Sequence, residues 1–277
     1  MSQQSDKKDI IVSGFSNFGI KQLTPWLNSI DQCGFTGDIL CVMYGSNPDM
    51  VEAKKYLKTK SNFIIIDGIL TKTVVCDRFK DIYLFLKDKK EQYRYVFSTD
   101  ASDVIFQLNP SHFAEIKLVN GFKLLCGSES ILYKNETWGN QNMKNSFPSF
   151  YDFMMDKLVY NAGTITGNVE AICDLFKNIY EMSINTIVEN PDQAAYNILI
   201  QTKYKDICYF SGIEDCYATQ CNTTGNPRLL SQYGHLLTER PIFKNGIAYN
   251  SKMEKTCLLH QYQNIPGFYE EVLKLYA

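Results

Sequence analysis

Four short apolar segments separated by helical stretches restrict the fold of this chain more than any other feature of the sequence. The apolar segments, each typical of a buried strand, cover residues 9–13, 38–44, 63–67 and 95–99. Between them, apolar side chains recur at helical spacing over residues 21–33, 48–59 and 76–90. This alternation predicts an α/β protein with a mostly parallel central sheet and helices on both faces. Because ligands bind beyond the carboxyl ends of the strands in such sheets, the four loops that follow these strands should share one rim.

The second half of the sequence has a less regular pattern. It predicts strands at residues 122–127 and 255–260, and helices at residues 168–185, 192–202 and 266–276. Residues 136–149 are rich in Asn, Gly and Pro and are expected to form a loop or lid. Neither a repeat nor a linker interrupts the pattern, so we predict one domain over residues 1–277, with a smaller second lobe.

Charge and cysteine content argue against several classes of protein. The 28 Lys and Arg residues and the 30 Asp and Glu residues leave a formal charge of −2, which disfavours a nucleic-acid partner. Nine cysteines, an odd number without a C-x-x-C pair, favour free thiols in a reducing compartment. Residues 1–9 are polar, unlike a signal peptide, and no apolar run approaches the ~18 residues of a membrane span. These features are typical of a cytoplasmic or virus-encoded protein, or of a domain of a larger one.

Two acidic residues directly follow the fourth predicted strand, in the segment TDASDVIFQ. Asp100 and Asp103 would lie at the carboxyl end of a buried strand, where unpaired carboxylates are costly. A hard divalent cation such as Mg²⁺ or Mn²⁺ would stabilise them there. A capping turn, in which both carboxylates accept hydrogen bonds from backbone N–H groups, is the alternative.

Histidine occurs only three times, and His260 alone ends an apolar segment, LLHQY. It is the histidine best placed to reach the rim, although a histidine satisfied within the core fits the same pattern. Glu129 directly follows the strand predicted at residues 122–127 and is a further candidate for a pocket carboxylate.

In their order along the chain, these motifs resemble those of GT-A-fold glycosyltransferases, which bind a divalent cation through an Asp-any-Asp motif. The closer likeness is to a group with the run Asp-Val-Arg-Asp-Val followed by Phe-Gln, matched here by Asp100, Asp103 and the segment VIFQ. A late His-Gln-Tyr-Asp motif of that group is matched at residues 260–262, with Gln263 in place of the final Asp. The resemblance implies a GT-A, Rossmann-like fold. Its nucleotide-binding half would be residues 9–110, and its acceptor-side half residues 111–277.

The resemblance also implies which residues contact the donor and its cation. Asp100, Asp103 and His260 would bind the cation that bridges the two phosphates of a UDP- or GDP-linked sugar. Arg78, whose default interpretation is an exposed residue on a helix, would face the diphosphate, because a guanidinium suits phosphate oxygens. The other donor-contacting positions that the resemblance implies are Ser13, Gly14, Phe15, Asn161, Gly163 and Gln193.

Two carboxylates are candidates for a catalytic role. The resemblance places the pair Asp192 and Gln193 at the donor sugar, where Asp192 would act as a base or accept a hydrogen bond from a sugar hydroxyl. Asp in the first turn of a helix is also favoured by the helix dipole, so a purely structural role stays open. Glu129 is the rival candidate.

Two aromatic residues stand out in the expected loop at residues 136–149. Trp138 and Phe147 are a poor fit to disorder, and an aromatic face stacks well on the apolar face of a sugar ring. We therefore predict that this segment contributes to an acceptor site, with Trp138 as a contact. The alternative is that Trp138 anchors the loop to the body of the protein.

Taken together, the residues and the resemblance predict a glycosyltransferase that moves a sugar from a nucleotide-sugar to a carbohydrate or glycoprotein acceptor, with Mn²⁺ or Mg²⁺. A nucleotidyltransferase is disfavoured, because the sequence lacks a Gly-rich phosphate loop with a Lys near its start. A sugar-nucleotide-binding or glycan-binding protein of the same fold without turnover is the second alternative.

Overall fold

The computed structural model describes residues 7–277, so most of the polar segment at residues 1–9 lies outside the described residues. Within the described part of the chain, the strands are β1 (Lys8–Ser16), β2 (Asp38–Tyr44), β3 (Phe63–Asp67), β4 (Tyr93–Thr99), β5 (Val104–Phe106), β6 (Leu124–Leu132), β7 (Leu158–Asn168), β8 (Cys208–Ser211), β9 (Ala218–Gln220), β10 (Ile242–Lys244), β11 (Ile247–Tyr249) and β12 (Leu258–His260). The α-helices are α1 (Ile20–Gln32), α2 (Pro48–Leu57), α3 (Val74–Leu86), α4 (Pro110–Lys117), α5 (Thr137–Ser146), α6 (Tyr151–Met154), α7 (Val169–Ile184), α8 (Asp192–Gln201), α9 (Cys221–Gly225), α10 (Pro227–Tyr233) and α11 (Phe268–Tyr276). None of the helices in residues 7–277 has both the length and the apolar composition needed to cross a membrane.

Seven strands form the central sheet, in the order β3-β2-β1-β4-β7-β6-β8. Strands β3, β2, β1 and β4 are parallel to one another, and β8 is parallel to β6. Only β7 runs antiparallel to its neighbours in this sheet, β4 and β6. The prediction of an α/β protein with a mostly parallel, Rossmann-like sheet is therefore confirmed. The loops after β1 to β4 leave the sheet at the same edge, as the parallel arrangement requires.

The apolar runs are continuous because the central strands are covered on both faces. In β1, Ile10 and Val12 belong to a core shared with Phe79 of α3 and Phe176 of α7. Ile11, between them, points to the opposite face, into a second core that α1 and α2 supply. A strand with two buried faces needs an unbroken apolar sequence, which explains why these strands are evident from the sequence.

Smaller sheets complete the fold and position the site. Strand β12 pairs antiparallel with β5 and parallel with β9, and β10 and β11 form a hairpin. The β5–β12 pairing joins the segment after β4 to a strand more than 150 residues later, since Val104 pairs with His260. The late strand thereby reaches the edge of the central sheet at which β4 ends.

Several predicted boundaries were wrong. Strand β1 continues through Gly14 and Phe15, which were expected in a loop, because the first strand stays paired with β2 as far as Ser16. Strand β6 extends to Leu132, so Glu129 lies within a strand and not after one. Asn161 and Gly163 lie inside β7, where pairing with β4 and β6 continues to Asn168.

The expected loop at residues 136–149 is mostly the helix α5. Glu136 caps this helix by accepting hydrogen bonds from the backbone N–H groups of Trp138, at 3.1 Å, and Gly139. Met143 is fully buried and ties the helix to a core cluster, against which Phe147 also packs. Trp138 is 53% exposed, and its contribution to an acceptor site stays a prediction.

All nine cysteines are free thiols, and seven of them are buried. Burial raises the pKa of Cys33 and of Cys216, the two half-buried thiols, to about 11. We expect a thiol titration under denaturing, non-reducing conditions to find nine reactive groups, and the same titration of the folded protein to find two at most, reacting slowly. A count well below nine in denaturant would contradict the absence of disulfides among these residues.

Candidate metal centre and adjoining pockets

Asp100, Asp103 and His260 converge at the carboxyl edge of the central sheet. Asp100 directly follows β4, and the short bend at residues 100–103 carries Asp103 to the start of β5. The β5–β12 pairing then sets His260 beside them, and the backbone N–H of Gln261 donates to the carbonyl of Asp103 at 2.8 Å. Gln261 has a left-handed backbone conformation with φ of 58°, which turns the chain immediately after His260.

The geometry of these three side chains fits a divalent cation. Nε2 of His260 lies 3.4 Å from Oδ2 of Asp100 and 3.6 Å from Oδ2 of Asp103. One ligand atom from each residue lies within 4.8 Å of the others. Oδ1 of Asp103 and Nε2 of His260 are buried and have no hydrogen-bond partner among residues 7–277, a costly state that a bound cation would relieve. Two carboxylates and one imidazole are ligands that Mn²⁺ accepts, and the carboxylates also suit Mg²⁺.

Hydrogen bonds orient the imidazole ring of His260 towards the carboxylates. Nδ1 of His260 lies 2.7 Å from Oε1 of Gln220, and Nε2 of Gln220 donates to Oγ1 of Thr164 at 2.9 Å. With the Gln220 oxygen accepting the Nδ1 proton, the lone pair of a neutral imidazole is on Nε2, facing Asp100 and Asp103. Gln220 was not predicted from the sequence, because its position depends on the pairing of β9 with β12.

Charges at this centre shift the pKa values of all three residues. Burial would raise the pKa of Asp100, but Arg78 and His260 hold it well below its usual range. Burial raises the pKa of Asp103, and the charge of Asp100 adds to the rise. Burial alone would lower the pKa of His260, yet the two carboxylates outweigh it and raise that pKa. The crowding of the two carboxylates is what a dication would offset.

Gly163 lies against the metal centre, where a side chain would collide with two of the three candidate ligands. A Cβ atom added there would lie 2.6 Å from Cε1 of His260 and 2.8 Å from Oδ2 of Asp100. Its φ lies in the ordinary range, so close approach and not backbone conformation requires glycine. Gly167 lies four residues further along β7, and the three atoms nearest to a Cβ added there belong to Leu124, Lys123 and Ile172, none of which is a candidate ligand.

We expect Gly163→Ala to lower the affinity for Mn²⁺ at least about tenfold, because displaced ligands lose their coordination geometry. Calorimetric titration with Mn²⁺ measures this loss. Gly167→Ala is the matched control on the same strand, where the added Cβ would lie 2.7 Å from Leu124 Cδ2 and from the Lys123 carbonyl oxygen. That variant should melt earlier but bind Mn²⁺ normally if it folds. Equal Mn²⁺ affinity of Gly163→Ala and the unmodified protein would contradict the assignment.

Arg78 is buried, in contrast to the default interpretation of an exposed helix residue. Its guanidinium pairs with Oδ1 of Asp100, donates to the carbonyl of Ala162 at 3.2 Å, and lies 3.8 Å from Oδ2 of Asp192. Helix α3 can bring Arg78 this close because Gly14 has no side chain, since an added Cβ would lie 2.5 Å from Cβ of Arg78. The Nε atom of Arg78 is left without a hydrogen-bond partner among the described residues.

One cavity, which we call the Arg78 cavity, opens beside the metal centre and has a volume of about 240 Å³. Its lining includes Gly14, Phe15, Val74, Arg78, Asp100 and Asp103. Of the residues expected near a nucleotide, Ser13 does not line this cavity. It is buried within β1, and its hydroxyl has no partner among the described residues. The end of the first strand, the arginine and the acidic pair therefore line one cavity, while the nucleotide contacts that the resemblance implies for Gly14 and Phe15 stay a prediction.

Three motifs that are distant in the sequence meet at Glu129. Nδ2 of Asn161 donates to Oε1 of Glu129 at 2.8 Å, Nε2 of Gln193 donates to the same oxygen at 3.2 Å, and Thr223 donates to Oε2 at 2.6 Å. Oδ1 of Asn161 accepts from the backbone N–H of Gly163 at 2.7 Å, which links this network to the metal centre. Both oxygens of Glu129 are thus engaged, so it holds neighbouring side chains in place.

A second cavity, which we call the Glu129 pocket, lies on the other side of this network. Its lining includes Glu129, Glu136, Trp138, Asn222, Tyr233 and Gln261. Gln261 is the residue after His260, so this pocket and the Arg78 cavity both adjoin the metal centre. Glu136, Asn222 and Tyr233 were missed from the sequence, since only the fold of the second half brings them together.

Asp192 is a second buried carboxylate, in the first turn of α8 as predicted. Burial raises its pKa to about 6, although Arg78 opposes the rise. A carboxylate with a pKa near the working pH is suited to proton transfer. Asp192 and Glu129 are thus differently placed. Both oxygens of Glu129 accept hydrogen bonds from side chains, whereas no side chain within residues 7–277 donates a hydrogen bond to Asp192, and Arg78 lies 3.8 Å away.

A scan against protein-family models finds no match to this chain, and a search of curated proteins finds none either. Its function therefore has to be inferred from the chemistry of the site.

Proposed function

We propose that this protein is a metal-dependent glycosyltransferase of the GT-A type. It would transfer a sugar from a UDP- or GDP-linked donor to a carbohydrate or glycoprotein acceptor. The observation that carries the proposal is the metal centre of Asp100, Asp103 and His260, which adjoins two cavities of different chemistry. Transfer between a diphosphate donor and a hydroxylated acceptor needs two adjoining sites, and a cation between them would stabilise the diphosphate that leaves.

The donor would occupy the Arg78 cavity. Val74 and Phe15 offer apolar surface for a base, and the guanidinium of Arg78, whose Nε–H has no partner among the described residues, carries the positive charge that phosphate oxygens prefer. A cation bound to the two aspartates and His260 would supply Lewis-acid stabilisation of the nucleoside diphosphate that leaves. Arg78 would add positive charge at the same place, since it already pairs with Asp100.

The remaining residues would orient the sugar and exclude water. Glu129 fixes the amides of Asn161 and Gln193, which leaves their positions set before a sugar binds. Asp192, with a pKa raised by burial, is the carboxylate best suited to accept a proton or a hydrogen bond from a sugar hydroxyl. Gln263, which stands where the resembling group has Asp, donates to Oδ2 of Asp103 at 3.4 Å and so orients a ligand of the cation.

Incubation with a panel of UDP- and GDP-linked sugars and Mn²⁺ tests the proposal. At least one donor should release free nucleoside diphosphate, and EDTA should stop the release. A mixture of simple glycoside acceptors should accelerate it. Tight binding of a nucleotide-sugar without any release would instead indicate a binding protein. Pyrophosphate formed from a nucleoside triphosphate and a sugar phosphate would indicate a nucleotidyltransferase.

A further inference from the structure

The Glu129 pocket contains negative charge and no positive charge. Glu129 and Glu136 both line it, and no lysine, arginine or histidine does so within residues 7–277. Burial raises the pKa of Glu136, and the charge of Glu129 raises it further, which shows that the two carboxylates influence each other. An anion entering this pocket would meet two carboxylates, with no basic side chain in the lining to offset them.

The groups left free to bind a ligand in this pocket are neutral. Tyr233 is only 4% exposed, and its buried hydroxyl has no hydrogen-bond partner in the part of the chain that the structure describes. The side-chain amide of Gln261 and the Nδ2 group of Asn222 likewise make no hydrogen bond as donors within the described part of the chain. An unpartnered buried hydroxyl is costly, so its position in the pocket lining indicates a missing ligand.

Trp138 adds an apolar platform at the same pocket. Its side chain is 53% exposed although it lies in the first turn of a helix whose other apolar residue, Met143, is fully buried. An exposed aromatic ring beside amides and hydroxyls can cover the apolar face of a sugar ring while the polar groups bind its hydroxyls.

We propose that the Glu129 pocket is the acceptor subsite and that it selects by charge, taking an uncharged or amine-bearing sugar and rejecting one that carries a carboxylate or phosphate. The identification of the bound sugar as the acceptor rests on the proposed function, but the binding preference itself does not require turnover. Like charges brought together in a poorly solvated site are strongly disfavoured, whereas an ammonium group there is attracted.

Fluorescence of Trp138 offers a test without catalysis. The chain has two tryptophans, and Trp26 is only 1% exposed, so quenching by acrylamide reports Trp138. The protein with Mn²⁺ and nucleoside diphosphate is titrated with matched methyl glycosides of the gluco, galacto and manno series. Each series contains the neutral sugar, its 2-amino form and its uronate. In the best series, the neutral and amino sugars should protect Trp138, and the uronate should bind at least about tenfold more weakly.

Two variants and one control sharpen this test. Glu136→Gln should raise the affinity for the uronate towards that of the neutral sugar, because one of the two opposing charges is gone. Tyr233→Phe keeps the ring and should lower the affinity for every sugar several-fold without lowering the melting temperature. This variant keeps the inference testable if Glu136→Gln fails to fold. Glu170→Gln changes an exposed first-turn glutamate of α7 and should leave the discrimination unaltered.

The outcomes separate this inference from the proposed function. Equal protection of Trp138 by uronate and neutral sugars, or protection by none of the panel, would overturn the inference even if a nucleotide-sugar is turned over. Charge-selective protection in a protein that releases no nucleoside diphosphate would keep the pocket assignment and reject the transferase.

Discussion

Replacing Asp103 or His260 by alanine should weaken Mn²⁺-dependent binding of uridine or guanosine diphosphate by more than about 100-fold. Loss of a residue that only orients a metal ligand already lowers metal affinity about 10–100-fold, and these replacements remove a ligand itself. Isothermal calorimetry at a fixed Mn²⁺ concentration measures the change. Asp103→Asn should lose binding in the same way, and because it keeps the size of the side chain, its effect separates lost coordination from lost packing.

Exposed residues of the same kinds supply controls. Asp88 is exposed, and the side chain of His112 is 79% exposed. Asp88→Ala and His112→Ala remove the same chemical groups at exposed positions that line neither cavity, and should leave the affinity unchanged. Unaltered binding in both Asp103→Ala and His260→Ala would exclude the metal centre as assigned.

The first half of the fold is predictable from the sequence because burial on both faces leaves an unbroken apolar run. The boundaries of β2 and β3 agree with the predicted segments 38–44 and 63–67. The predicted end of β1 was wrong, because a glycine at position 14 is typical of a loop. In the structure, Gly14 lies within the strand and allows α3 to pack closely against it. A glycine demanded by a neighbouring helix has the same local signature as a glycine in a turn.

Much of the second half depends on pairing between distant segments. Strands β5 and β9 have three residues each, and a three-residue pattern does not distinguish a strand from a turn. Strand β12 was predicted over residues 255–260 but covers only Leu258–His260. Helix α5 has poor helix formers such as Asn and Gly, and it is stabilised by the Glu136 cap and the burial of Met143. Propensity alone therefore predicted a loop there.

The residues of the candidate site divide in the same way, into those with a local signal in the sequence and those that depend on contacts between distant segments. Asp100 and Asp103 are conspicuous because two carboxylates follow a buried strand, and His260 because it ends one. Gln220, Tyr233 and Glu136 have no such local signal, since ordinary polar residues become informative only when the fold sets them against the metal centre or the pocket.

Asp192→Asn should make the metal-free protein more stable at pH 8 and should lower sugar transfer at least about 100-fold, the usual contribution of a proton-transferring group. Burial raises the pKa of Asp192 to about 6, above the ordinary 3.8. The folded state therefore binds the proton more tightly, and the stability due to this proton is lost as pH rises from about 4 to about 6. A shift of this size corresponds to roughly 3 kcal/mol. Because the asparagine cannot ionise, the variant avoids that loss of stability. The net gain is smaller by the stability that the contact between Asp192 and Arg78 contributes.

Asp77 provides the opposite case, one residue before Arg78. Burial opposes its charge, but hydrogen bonds from the Lys72 N–H at 2.8 Å, the Thr71 hydroxyl and N–H, and Lys80 hold its pKa below 3.8. Its contribution to stability is present above pH 4 and is lost as pH falls through the lowered pKa. Asp77→Asn should therefore destabilise the protein at neutral pH.

Thermal unfolding in EDTA from about pH 2.5 to pH 8.5 compares the two variants. The melting temperature of Asp192→Asn should match the unmodified protein near pH 4 and exceed it by several degrees above pH 6, since 1 kcal/mol shifts a domain of this size by about 2–4 °C. Asp77→Asn should melt earlier at pH 7 and approach the unmodified protein as pH falls below 4. If removal of the Asp192 carboxylate stabilises the protein, the carboxylate is kept for function and not for stability. If Asp192 is instead a structural partner of Arg78, its removal should destabilise the protein, as expected for Asp77. Early melting of Asp192→Asn at pH 8 would thus identify its carboxylate as a support for Arg78 and leave the transfer chemistry to another group.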